Sequence, residues 1–174
     1  MALFRRKDAP PADVLAQLPK TERVVSWADT ADGSVVLLTP SGIWWPEPEG
    51  FRLIGWQYVD KATWQENVLT VIEADVVDDL LLVDRAPVSV RITVPRDLPP
   101  VLRKRVEANV VRSEVAPVLG GTARFVARRI PGEDGVRWWA RLEAGTPDRD
   151  EVRSSVGGQL ARLRAQWEEH SRSL

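Results

Sequence analysis

Pro87-Val88-Ser89-Val90-Arg91-Ile92-Thr93-Val94-Pro95-Arg96-Asp97-Leu98-Pro99-Pro100 holds two structural periods back to back. In its first half Val88, Val90, Ile92 and Val94 fall on one face, and Ser89, Arg91 and Thr93 on the other. That is the period-two pattern of a half-buried strand. Asp97 then stands where a helix N-cap belongs, with Pro99 and Pro100 in the first turn, where a missing N–H is tolerated. Leu102, Val106 and Val110 follow at i, i+4 and i+8, predicting an amphipathic helix whose apolar stripe extends to residue 110. Arg103, Lys104, Arg105 and Arg112 lie mostly off that stripe, and the basic run 103–105 reads as a solvated face.

Upstream of this junction the period is two throughout. Strands are predicted over 24–29, 35–38, 43–45, 51–54, 59–65 and 68–72, followed by a short apolar run at 80–83. Asp32-Gly33, Thr39-Pro40-Ser41-Gly42 and Glu66-Asn67 supply turns between them. Before residue 22 the chain is polar and Pro-bearing, with a short helix marked by Val14, Leu15 and Leu18. Leu3-Phe4-Arg5-Arg6-Lys7 reads as a frayed end rather than a membrane anchor.

Downstream, strands over 123–130 and 136–143 are joined by Pro131-Gly132-Glu133-Asp134-Gly135. Thr146 and Pro147 then read as N-cap and first residue of a long helix. Val152, Val156, Leu160, Leu163 and Trp167 form its apolar stripe, which predicts that it packs on the preceding hairpin. Gly157-Gly158 in its middle costs about 1 kcal/mol per residue relative to Ala, which predicts a close backbone approach there. The expected fold class is α+β, mostly β. About seven antiparallel strands lead to one helix, and a ββα extension follows. The expected organisation is a tail and short helix over 1–21, a main domain over 22–115 and an extension over 116–174.

Composition excludes much chemistry. The 174 residues include no Cys and one His, His170. Thiolate metal sites, cysteine nucleophiles, histidine triads and multi-His centres therefore have no residues to build them. The sequence predicts no catalytic residues and no cofactor. A net charge of −1 gives no global field toward nucleic acid or anionic lipid. No stretch approaches about 18 apolar residues, and the first residues lack a signal-peptide core. The expected compartment is the cytoplasm, with no membrane insertion.

Several phrases resemble bacterial pleckstrin-homology-like (PH-like) domains. Val35-Val36-Leu37-Leu38-Thr39 followed by Gly42-Ile43-Trp44-Trp45 is similar to one of their hairpins. Phe51-Arg52-Leu53-Ile54 leading to Trp56, Val59 and Trp64, then Val68–72, is similar to their next meander. The resemblance covers about 22–115. It implies a bent, nearly closed antiparallel barrel plugged by the helix. The whole chain, including the stretches 103–111 and Arg128-Arg129, resembles a family of uncharacterised proteins from GC-rich bacteria, in keeping with 20 Arg against four Lys. That family brings no catalytic residues with it. PH domains that bind phosphoinositides use basic residues between their first two strands. Here that loop is Thr30-Ala31-Asp32-Gly33, so the resemblance implies no headgroup binding.

Three residue sets stand out. Glu73, Asp75, Asp78, Asp79 and Asp84 have the oxygen chemistry for Ca²⁺ or Mg²⁺, against a solvated inter-strand segment. Arg137, Trp139 and Arg141 share one strand face, with Trp138 on the other. Trp and Arg together suit a protein partner or stacked bases, against covering by carboxylates within the chain. Trp44, Trp45, Trp56, Tyr58 and Trp64 have the make-up of a ligand pocket, against ordinary core. Trp44 and Trp45 must face opposite sides of their strand, so Trp45 joins Arg137, Trp139 and Arg141 as a candidate interaction surface. The leading expectation is a non-catalytic interaction or scaffold protein that binds an unknown protein partner or a second copy of itself. The alternatives are a small-ligand binder or enzyme with an aromatic, carboxylate-bearing cleft, and a weak nucleic-acid binder, the last disfavoured by the net charge.

Overall fold

A computed structural model describes residues 8–173; the Leu3–Lys7 stretch lies outside them. The elements are α1 (Ala12–Leu15), β1 (Ser26–Thr30), β2 (Val35–Leu38), β3 (Gly42–Glu47), β4 (Gly50–Gly55), a 3-10 turn at Trp56–Tyr58, β5 (Val59–Gln65), β6 (Val68–Val77), β7 (Leu81–Asp84), β8 (Val88–Val94), α2 (Leu98–Asn109), β9 (Val110–Val118), β10 (Gly121–Arg128), β11 (Arg137–Leu142) and α3 (Asp150–Arg172). The class is α+β, mostly β.

All eleven strands belong to one open sheet, ordered β4-β3-β2-β1-β8-β6-β7-β11-β10-β9, with β5 also on β6. The ten-residue strand β6 joins the two halves. Val71 pairs with Val88 of β8, and Ala74 pairs with Asp84 of β7. β8 and β7 therefore lie along the same edge of β6, separated by Arg85-Ala86-Pro87. Beyond β7, β11 joins in parallel at Ala140↔Leu81. β10 and β9 then add antiparallel.

Each half buries its own core. Ala28, Val36, Leu38, Ile43, Trp45, Ile54, Leu69 and Ile92 pack beneath Leu98 and Leu102 of α2. In the second half Phe125, Trp138 and Ala140 pack beneath Val152, Val156, Leu160 and Leu163 of α3. Trp167 continues the stripe, meeting Trp138 edge-on at 6.1 Å. The α3 stripe covers the β10–β11 hairpin, as its spacing predicts.

Three local expectations are corrected. The helix after Asp97 stops at Asn109, and Val110 opens β9 instead of closing the apolar stripe. Val110 fits a helical i+4 step and a strand equally well, and pairing with β10 decides between them. β9 then runs on to Val118. Thr146 is not the N-cap of the last helix, which starts at Asp150 after Arg149. Its hydroxyl instead donates to the Thr122 carbonyl at 2.8 Å and accepts the Thr122 N–H at 3.0 Å, holding the loop to β10. Among the described residues Gly157 and Gly158 meet no close backbone. A Cβ on Gly158 would meet nothing within 4 Å, and one on Gly157 only the Leu80 side chain at 3.9 Å.

Candidate functional site

At its centre β11 is covered on both faces, with Trp138 and Ala140 under α3 and Trp139 in a separate buried cluster. Trp139 is 1% exposed and packs with Ala74, Leu82 and Val126. Its ring lies 6.1 Å from Tyr58 at a tilt of 43°. Arg141 spans Asp60 at 2.8 Å and Asp84 at 2.7 Å. Arg137 forks onto Glu133 at 3.0 and 2.9 Å. Trp139 thus has no open ring face for a base or a partner, and both guanidiniums are already paired with carboxylates. Trp45 is 5% exposed, in the core under α2. Trp44, its neighbour, is half-buried on the opposite side with Trp27, Leu37 and Phe51. The four sequence candidates do not converge on one surface.

The acidic run is likewise dispersed among arginines. Glu73 faces Arg52 at 2.5 Å and Arg85 at 3.3 Å. Asp78 pairs with Arg153, and Asp84 with Arg141. Among the described residues no group of three or more His, Cys, Asp or Glu is placed to hold a metal ion. His170 is exposed near the end of α3. No helix among the described residues is long and apolar enough to cross a membrane.

Where the two halves meet, Arg128 is 5% exposed. Its Nη1 donates to the Val59 carbonyl at 2.8 Å, and its Nη2 stands 3.8 Å from Asp60. Burial holds its pKa below the ordinary arginine value, with Asp60 opposing and Arg141 adding to the effect. These contacts tie β10 and β11 to the start of β5.

A concave surface lies further along β5, a groove of about 580 Å³ between β5 and α2. Ala62 and Trp64 form one wall, and Pro99, Leu102 and Val106 the other. Arg103 and Glu107 pair at 2.8 Å on its rim. The backbone of β5 completes this site. Among the described residues β5 pairs with β6 alone, so its second edge is unpaired. Glu66 and Asn67 have φ of 49° and 61°, a two-residue hairpin turn in which the flanking pair Gln65↔Val68 is hydrogen-bonded. Alternation along the antiparallel ladder then aims the N–H and C=O groups of Ala62 and Trp64 away from β6. Two of the residues that line the groove, Ala62 and Trp64, therefore have outward-facing backbone groups with no partner strand among the described residues.

Sequence reasoning placed β5 and α2 but not this groove. Its one sequence signal is Trp64, a large apolar residue in a strand whose odd positions are charged or polar at Lys61, Thr63 and Gln65. Comparison of the chain with protein-family models, curated proteins and solved structures finds no match.

Proposed function

We propose that this chain is a non-catalytic, PH-like interaction protein that accepts an extended peptide as an added strand along β5, in the groove under α2. The strand run β4-β3-β2-β1-β8-β6-β5 followed by a covering helix supports the PH-like reading. The observation that carries the binding mode is the coincidence of an unpaired edge and an apolar groove at Ala62 and Trp64. Main-chain hydrogen bonds from an added strand supply affinity, and alternate side chains reaching the groove supply selectivity. An open edge beside an apolar surface otherwise invites indiscriminate pairing, and α2 standing over the groove restricts entry to a single strand. The rim carries one internally paired Arg and Glu, so the ligand's own specificity is apolar.

A displayed library of random peptides tests this. Enrichment of sequences with alternating apolar residues is expected. Ala62→Pro removes an outward N–H that bonds to no partner in the sheet, so it is tolerated in an edge strand, yet it abolishes capture. Trp64→Ala weakens capture by emptying the groove wall. The proposal is overturned if no such sequences enrich, or if the enriched peptides bind a folded Ala62→Pro variant as they bind the parent.

A further inference from the structure

We infer that the cleft between the end of α2 and the segment after β10 binds a small, soluble phosphate monoester through Arg105 and Arg129. This cleft is separate from the β5 groove and encloses about 300 Å³, the lower end of the range for small-molecule sites. Pro40 and Trp56 contribute from the first half, Arg105 and Asn109 from α2, and Arg129 and Pro131 from beyond β10.

Arg105 departs from the pattern of the molecule. Among the described residues the other buried or half-buried arginines are Arg52, Arg96, Arg128, Arg141 and Arg153. Each of those has a carboxylate in ion-pair range. Arg105 is half-buried with none among the described residues. Arg129, exposed on the same wall, also has none among the described residues. A guanidinium that has lost part of its hydration gains most from an oxyanion that meets its planar fork. Two such forks on one small cleft match a phosphate better than a single carboxylate.

The cleft wall is held in place for this. Asn109 donates its Nδ2 to the Arg129 carbonyl at 2.8 Å, and Arg129 donates its backbone N–H to the Asn109 carbonyl at 3.0 Å. Asn109 itself is 5% exposed, and its Oδ1 is buried without a partner. Such an acceptor is completed by a donor that enters with a ligand or a water. Glu133 also lines the cleft but is neutralised by Arg137. Asp134 leaves one negative charge against two positive ones. That balance favours a monoester with hydroxyls over a polyphosphate. Trp56 is 3% exposed, with its indole N–H on the Thr39 carbonyl at 2.9 Å, so the cleft has no stacking platform for a nucleobase.

Calorimetric titration of the full chain with glycerol 3-phosphate, glycerol and inorganic phosphate tests the site. Binding of glycerol 3-phosphate and no binding of glycerol are expected. Arg105→Gln and Arg129→Gln should each weaken binding about tenfold or more, the loss typical of one charge-assisted contact. Arg162→Gln, which alters an exposed arginine on α3, should leave binding unchanged. Thermal melts identify any variant that fails to fold, and for such a variant the Lys replacement is used in its place. Vesicles carrying phosphoinositides should sediment no more protein than phosphatidylcholine vesicles. No binding at about 10 mM ester, equal binding by both Gln variants, or selective sedimentation with phosphoinositide vesicles would overturn the proposal.

Discussion

The guanidinium carbon of Arg96 lies 3.4 Å from the ring centroid of Trp27. Its Nε donates to Asp8 at 2.6 Å and its Nη1 to Asp29 at 2.7 Å. The Trp27 indole N–H donates to the Asp8 carbonyl at 3.2 Å. One side chain therefore locks the segment before α1 onto β1. Burial opposes the charge of Arg96, but the two carboxylates outweigh it and raise its pKa. Lys cannot reproduce a stacked, two-armed contact, so Arg96→Lys should lower unfolding free energy by about 1–2 kcal/mol. Arg96 also has φ of 48°, a left-handed conformation costing a residue with a Cβ about 1–2 kcal/mol. Arg96→Gly should therefore be less destabilising than Arg96→Ala. Urea titration ranks the three, and the reverse order of Gly and Ala would refute the account.

The glycines of α3 give a stabilising prediction. A helix-interior Gly costs about 0.5–1 kcal/mol relative to Ala, and Gly158 has open space where a Cβ would go. Gly158→Ala should raise stability by that amount, measured as a higher urea midpoint at unchanged slope. Gly157→Ala should do nearly as well, since its Cβ would make an ordinary contact with Leu80. A loss of stability in either variant would mean that α3 meets another backbone at this point, as in a self-assembled form.

These glycines show where sequence reasoning stops. Two small residues in a helix look alike whether a neighbour presses on them or solvent does. The period-two strands and the Glu66-Asn67 turn were legible because their causes are local. β9 was not, because Val110 satisfies both periods and a partner strand far along the chain settles it. Trp139 was placed on the correct face of β11. Its burial depends on Tyr58, 81 residues away, and no pattern within either segment encodes that encounter. The β5 groove is hidden for a related reason. An edge is defined by a strand failing to find a second partner, and failure to pair leaves no trace in composition.

Asp32 provides a pH test. The Thr30 hydroxyl donates to its carboxylate, and the Ser34 N–H does so at 3.3 Å. The Thr30 bond and then the Ser34 bond hold its pKa below the ordinary 3.8. A carboxylate depressed in the folded state adds stability in full above its unfolded pKa, and loses it as pH falls through the folded one. The stability difference between parent and Asp32→Ala should therefore be constant above about pH 5 and shrink below 3.8. Parallel urea titrations from neutral to acid pH measure it. A difference that is unchanged on the acid side would exclude this carboxylate as the cause.

The joint between the halves rests on an uneven charge balance, Asp60 against Arg128 and Arg141. Arg141 has a second carboxylate in Asp84 at 2.7 Å. Among the described residues Arg128 has only Asp60, at 3.8 Å, and its Nε is buried without a partner. Removing Asp60 therefore strands the Arg128 charge in a nearly closed environment. An exposed ion pair is worth up to about 1 kcal/mol, whereas stranding a buried charge costs about 3–5 kcal/mol. Asp60 is itself 27% exposed, so the lower end of that range applies to Asp60→Ala. Arg128→Met keeps much of the volume and removes the charge together with its bond to the Val59 carbonyl, at a cost of about 1–2 kcal/mol. The double variant should then be more stable than Asp60→Ala alone, because the charge that Asp60 compensates is gone. A double-mutant cycle in urea measures this coupling. If the two losses simply add, Asp60 does not compensate Arg128, and the joint is held by the packing of Trp139 on Tyr58 rather than by charge.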